Sequence, residues 1–126
     1  MTKFFSVISG SREWTDTILM AKVLRDIPDD TLFVHGECAG ADRHAAKILA
    51  GRCYEVRVPY PSRLSYAGGP MRNRLMIEMA MVYKNAGYDV CVYAFPMPKS
   101  KSKSSGTYNL IEHAQFAGLC PLVTEM

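Results

Sequence analysis

The chain is predicted to form one α/β domain of three layers, a parallel five-stranded sheet with helices on both faces. Three observations predict it. Short β-type runs alternate with helix-patterned segments along the chain in the order βαβαβαβαβ, which implies parallel strands joined by crossover helices. The 126 residues suit one domain with its own core, and they show neither an internal repeat nor a linker. The composition, 48% hydrophobic and 21% charged, is that of a globular protein.

Each element has its own signal. Phe4 to Ile8 is a short apolar run that stops at Ser9-Gly10-Ser11. A helix is expected from about Asp16, with Ile18, Leu19, Ala21, Val23 and Leu24 as its apolar face and Pro28 as its end. Thr31 to Val34 is the second strand. The second helix starts near Asp42 and stops at Gly51, and Tyr54 to Val58 is the third strand. A helix from about Pro70 to Ala86 follows, with Leu75, Ile77, Met79, Met81 and Val82 as its buried side. Asp89 to Phe95 is a nearly continuous apolar strand, as suits the centre of a parallel sheet. Thr107 to Ala117 is the last helix and Cys120 to Val123 the last strand. Right-handed crossovers make this arrangement Rossmann-like, and ligands in such sheets bind past the carboxyl ends of the strands.

Composition excludes several classes. A net charge of +3 is small for wrapping nucleic acid, although it suits attraction of a small anion. The cysteines form no CxxC pair and no Cys/His cluster of zinc spacing, so no metal site is expected. Cys53, Cys91 and Cys120 interrupt apolar runs and are expected in the core as small apolar residues. The N-terminus lacks a signal-peptide pattern, and no apolar stretch approaches the roughly 20 residues that span a bilayer. A cytoplasmic protein is the expectation, and a homo-oligomer is compatible with it.

Chemistry is concentrated in the turns that leave the strands. After the first strand comes Ser9-Gly10-Ser11-Arg12-Glu13-Trp14, in which Gly10 allows close backbone approach, Ser11 supplies hydrogen bonds and Arg12 can fork onto a phosphate. After the second comes His35-Gly36-Glu37-Cys38-Ala39-Gly40-Ala41-Asp42. Here Asp42 is either the N-cap of the next helix or a ligand for hydroxyls, and His35 either touches a ligand or bonds to neighbouring backbone. The third region, Gly68-Gly69-Pro70-Met71-Arg72-Asn73-Arg74, puts basic residues near a helix start, where they oppose the macrodipole unless an anion is bound. The fourth, Ser104-Ser105-Gly106-Thr107, is another small-residue turn into a helix. Pro96 to Ser105, rich in lysine and serine, is expected to be a lid that orders over a ligand, with a solvated surface loop as the alternative. His44 and His113 lie on helices and carry no expected role. The first turn lacks GxGxxG and no Walker A lysine motif is present, which argues against a usual NAD dehydrogenase or P-loop NTPase.

Four motifs occur in order: Ser9-Gly10-Ser11-Arg12-x-Trp14, His35-Gly36-x-x-x-Gly40-Ala41-Asp42, Gly69-Pro70-x-Arg72-Asn73 and Gly106-Thr107-x-Asn109. Together they resemble the YspA-like, cpYpsA-related SLOG family over roughly residues 4 to 124. That superfamily includes the LOG or "lysine decarboxylase-like" phosphoribohydrolases and the DNA-processing DprA proteins. The resemblance implies a Rossmann-like fold that binds or processes nucleotide-derived ligands, with contacts from Gly10, Ser11, Arg12, Trp14, His35, Gly36, Gly40, Asp42, Gly69, Pro70, Arg72, Asn73, Ser105, Gly106, Thr107 and Asn109. Arg72 and Met76 match the LOG arginine followed four residues later by methionine. The LOG catalytic glutamate is not matched, because Leu110 stands there and Glu112 falls on another helix face.

The leading expectation is therefore binding, with or without sensing or processing, of a nucleotide or nucleotide-derived phosphate ligand, with no further cofactor. The alternative is an enzyme that cleaves a nucleotide N-glycosidic bond, with Glu37 or Asp42 handling protons. Nucleic-acid binding by analogy with DprA is disfavoured by the modest charge and the lack of an aromatic stacking series.

Overall fold

In a computed structural model the elements follow one another in the predicted order: β1 (Phe4–Gly10), α1 (Thr17–Leu24), β2 (Leu32–His35), α2 (Ala41–Leu49), β3 (Tyr54–Glu55), α3 (Gly68–Asn85), β4 (Asp89–Phe95), α4 (Ser105–Phe116) and β5 (Leu122–Val123). The structure describes residues 2–36, 40–58, 68–97 and 105–126, and at 68–70 and 105 it describes the backbone alone. The five strands are all parallel in the order β3-β2-β1-β4-β5. The chain winds outward from β1 in one direction and then returns past it in the other. The helices consequently divide between the two faces.

Side-chain alternation along β1 builds both cores. Phe5 and Val7 join Val34 and Val92 beneath α3 and α4, with Met76, Ile77, Ala80, Leu110 and Ala114. Ile8, together with Phe33 and Phe95, packs on the opposite face against Met20 and Leu24 of α1 and Ala45 and Leu49 of α2. The result is a Rossmann-like three-layer fold. Among the described residues no helix is long and apolar enough to cross a membrane.

Several boundaries differ from the sequence expectation. β1 runs on to Gly10, which pairs with Phe95 of β4. α1 ends at Leu24, four residues short of Pro28, where the Leu24 carbonyl accepts from Ile27 N at 3.1 Å and from the Arg52 guanidinium. Arg52 Nη2 donates to Leu24 O at 3.0 Å and Nη1 to Ile27 O, beside a 3.2 Å bond to Asp29. Met20, not expected on the apolar face, is fully buried, while Ile18 is 73% exposed. β3 is an edge strand of two paired residues rather than five, matched to Leu32 and Phe33. α3 begins at Gly68 and α4 at Ser105, each two residues early, and β5 begins two residues late. Val82, expected inside, is 67% exposed. Two residues from the fully buried Ala80, it is turned about 200° away from it.

The cysteine expectation holds for Cys53 alone. Cys53 is buried, with Sγ 3.5 Å from Pro28 O, and burial pushes its thiol up. Cys91 and Cys120 are exposed. The reason for Cys91 is topological, since α1 and α2 cross between β1, β2 and β3 and leave the amino half of β4 uncovered on their face. Burial there rises along the strand from exposed Cys91 through half-buried Tyr93 to fully buried Phe95. Burial, and next the Cys91 thiol, push the Tyr93 phenol up to about 12. In the native protein at pH 8, iodoacetamide is expected to modify Cys91 and Cys120 at least about tenfold faster than Cys53. Peptide mass spectrometry over a time course measures this, and equal rates would contradict the burial described.

Candidate functional site

Strand order reverses between β1 and β4, so the carboxyl ends of these two strands border the crevice where doubly wound folds hold ligands. Ser11 organises this place. Its amide donates to Phe95 O at 3.0 Å, its carbonyl accepts from Trp14 N at 3.2 Å and from Ala41 N at 3.0 Å, and its hydroxyl accepts from Glu13 N at 3.0 Å. These bonds join the ends of β1 and β4 to the start of α2. Trp14 is 1% exposed, meets Phe95 edge-on at 5.3 Å, and spends its indole N–H on Asp16 O at 3.0 Å. It is therefore a core prop for the loop and has no ring face to offer a base. Arg12, by contrast, is exposed.

The glycines of the first two loops answer to packing. A Cβ on Gly10 would fall on Ala41 Cβ and, at 2.9 Å, on Phe95 Cβ. Gly40, at φ 75°, would set one against the Arg12 carbonyl and, at 2.6 Å, the Ser11 carbonyl. Two loops thus touch backbone to backbone, and neither glycine needs a ligand to explain it.

Gly36 is a different case. Its N–H donates to Asp42 Oδ2 at 2.8 Å and its carbonyl accepts from Arg72 Nη1. A Cβ here would lie 2.8 Å from Asp42 Oδ2 and 3.3 Å from Arg72 Cδ. Asp42 comes from α2 on one face of the sheet and Arg72 from α3 on the other, so the two outer layers meet over the end of β2. Asp42 is 2% exposed and is not the N-cap of α2; Gly40 holds that position without a side-chain bond. His35 is also buried, with Nε2 2.5 Å from Glu55 Oε1 and its ring 6.2 Å from that of Phe33. It links β2 to β3 through the Glu55 side chain, whereas the expected alternative to ligand contact is a bond to neighbouring backbone.

The third and fourth motifs are brought together by Asn73, buried in the second turn of α3. Its Nδ2 donates to Gly106 O at 2.8 Å and to Asn109 Oδ1 at 3.0 Å. Thr107 is buried beside them, and Gly106 faces open space. Since α3 begins at Gly68, Arg72 and Arg74 lie beyond its first turn, and the expected conflict with the macrodipole loses its force. Arg74 pairs instead with Glu78 at 2.9 Å on the exposed side of the helix. Gly69 and Pro70 form the first turn of α3. Glu37 and residues 98–104 of the expected lid lie outside the described residues, although the start of that segment is anchored by buried Met97. Among the described residues no group of three or more His, Cys, Asp or Glu could hold a metal ion.

One neighbour of the site had no sequence signal. Residues 124–126 return to the carboxyl edge: Thr124 N donates to Ala94 O at 2.9 Å, Tyr108 OH donates to Glu125 Oε1 at 3.0 Å, and Thr15 N approaches Met126 Sδ at 3.4 Å. Burial, and next the bond to Glu125, push the Tyr108 phenol up. A surface depression of about 540 Å³ beside Ile27, Pro28, Ile48 and Arg52 lies at the opposite, amino edge.

Gly10→Ala is expected to cost more than about 2 kcal/mol, since the new methyl group meets backbone-fixed atoms. Gly106→Ala, in open helical space, should be neutral or stabilise by about 0.5–1 kcal/mol. Asp42→Ala should cost about 1–3 kcal/mol by stranding the Gly36 amide, with Asp42→Asn recovering most of the loss. Urea unfolding curves of the four variants compare them directly, and a Gly10→Ala variant as stable as wild type would refute the packing account. Comparison with protein-family models, curated proteins and solved structures finds no match for the chain, so its functional reading starts from this geometry.

Proposed function

We propose that the carboxyl edge of the sheet binds a nucleotide or nucleotide-derived phosphate ligand, with Arg12 and Arg72 directed at its charged group. The observation that carries this reading is the meeting of Asp42 and Arg72, from opposite layers, on the Gly36 peptide at the end of β2. A guanidinium held there by a main-chain carbonyl is pre-positioned to meet an anion with little loss of side-chain entropy. Exposed Arg12 stands on the neighbouring β1–α1 loop, one residue from the Ser11 junction. The motif resemblance to the SLOG family supports the same ligand class.

Binding is favoured over N-glycosidic hydrolysis. Leu110, which stands where the resembled hydrolases carry glutamate, is fully buried in the core, and Glu112 is exposed two residues on. Asp42 is buried and already accepts the Gly36 amide, so its part in this reading is to hold the loop rather than to shuttle protons. A cytoplasmic location, where free nucleotides and reduced thiols occur, fits the proposal.

Mass spectrometry of small molecules released from the purified, denatured protein identifies the ligand. Calorimetry with that compound then tests the arginines. Arg12→Ala is expected to leave the melting temperature unchanged and to weaken binding by about 1.5–3 kcal/mol, the value of a charge-assisted contact. Arg72→Lys keeps the charge but loses the fork, and should also weaken binding. Unchanged affinity in both variants would overturn the shared anion site.

A further inference from the structure

We infer that the outer side of α3 is a homodimer interface, in which two copies of this chain pack antiparallel about a two-fold axis. The helix is apolar well beyond its core-facing side. Met71 is 49% exposed and Val82 67% exposed, at opposite ends of the helix. Leu75 and Met79, partly buried, lie between them on the same flank, one and two turns on from Met71. Such a stripe facing water is unfavourable for a helix that is otherwise part of a core.

The charges on this side favour a second copy over an unrelated partner. Arg74 and Glu78, both exposed, lie between the apolar ends, two residues either side of position 76. Met71 and Val82 are centred within half a residue of the same point and stand about 16 Å apart along the axis. Read from one end the pattern is apolar, basic, acidic, apolar. Reversed against itself, it sets Met71 opposite Val82, and Arg74 near Glu78, twice over. Parallel packing would instead oppose Arg74 to Arg74 and Glu78 to Glu78. An isologous interface of this kind is closed, so it stops at the dimer.

Sedimentation equilibrium on the full chain tests the interface without any ligand. Wild type is expected to be a dimer. Arg74→Glu and Glu78→Arg, each placing four like charges at the axis, should separately weaken association by about tenfold or more. Mixed in equal amounts, these two variants should dimerise again, because each then supplies the charge the other lacks. Val82→Arg should weaken the dimer with an unchanged far-ultraviolet spectrum, as the position is exposed in the single chain. A monomeric wild type, single charge variants that associate as tightly as wild type, or a mixture that stays monomeric would each overturn the proposal.

Discussion

The carboxyl edge depends on a close approach that tolerates no side chain at Gly10. The end of β1, the end of β4 and the first residue of α2 converge there, and Ser11 fastens all three through its amide and carbonyl. A methyl group at Gly10 would force Ala41 and Phe95 apart. α2 would lift from the sheet, and Gly40 would lose its seat against the β1–α1 loop. Trp14 and Phe95, packed edge to face beneath the junction, fill the space that would otherwise make such an opening cheap.

On that base the structure can afford buried charge. An ionisable group removed from water is costly unless it is hydrogen-bonded. Asp42 Oδ2 accepts the Gly36 amide and Arg72 Nη1 donates to the Gly36 carbonyl, so one peptide unit bonds to both side chains. Because the two side chains come from helices on opposite faces, a movement of either layer is felt at the end of β2. The Asn73 bonds to Gly106 and Asn109 extend the same rigidity to the start of α4. The site is therefore held by the fold as a whole rather than by one loop.

The order of elements was legible in the sequence because apolar runs of strand length and helix length alternate without interruption. Element ends were less so where a distant partner meets them. Val56 and Val58 are as apolar as a strand requires, yet the register with β2 ends at Glu55, one residue before the Val56 amide makes its bond to Phe33 O. At the end of α1 the Leu24 carbonyl is met by Arg52, which is remote in the chain. At the site, the motif residues do gather at the carboxyl edge, but their types could not disclose their roles. A glycine that admits a ligand and one that admits a neighbouring backbone look alike, and so do a stacking tryptophan and a buried one. Arg72 and Arg74 share the same chemistry, but two residues of helix separate them by about 200°. One reaches the end of β2, whereas the other pairs with Glu78.

The return of residues 124–126 has a practical side. Because every strand is parallel, the start of β1 lies at the amino edge, whereas Met126 lies beside Thr15 at the carboxyl edge. Any chain that continues past Met126, natural or fused, sets out from the rim of the crevice, and a bulky or acidic extension there would crowd whatever enters it. An affinity tag or fluorescent partner placed ahead of Thr2 starts from the far side of the sheet. It leaves that entrance clear.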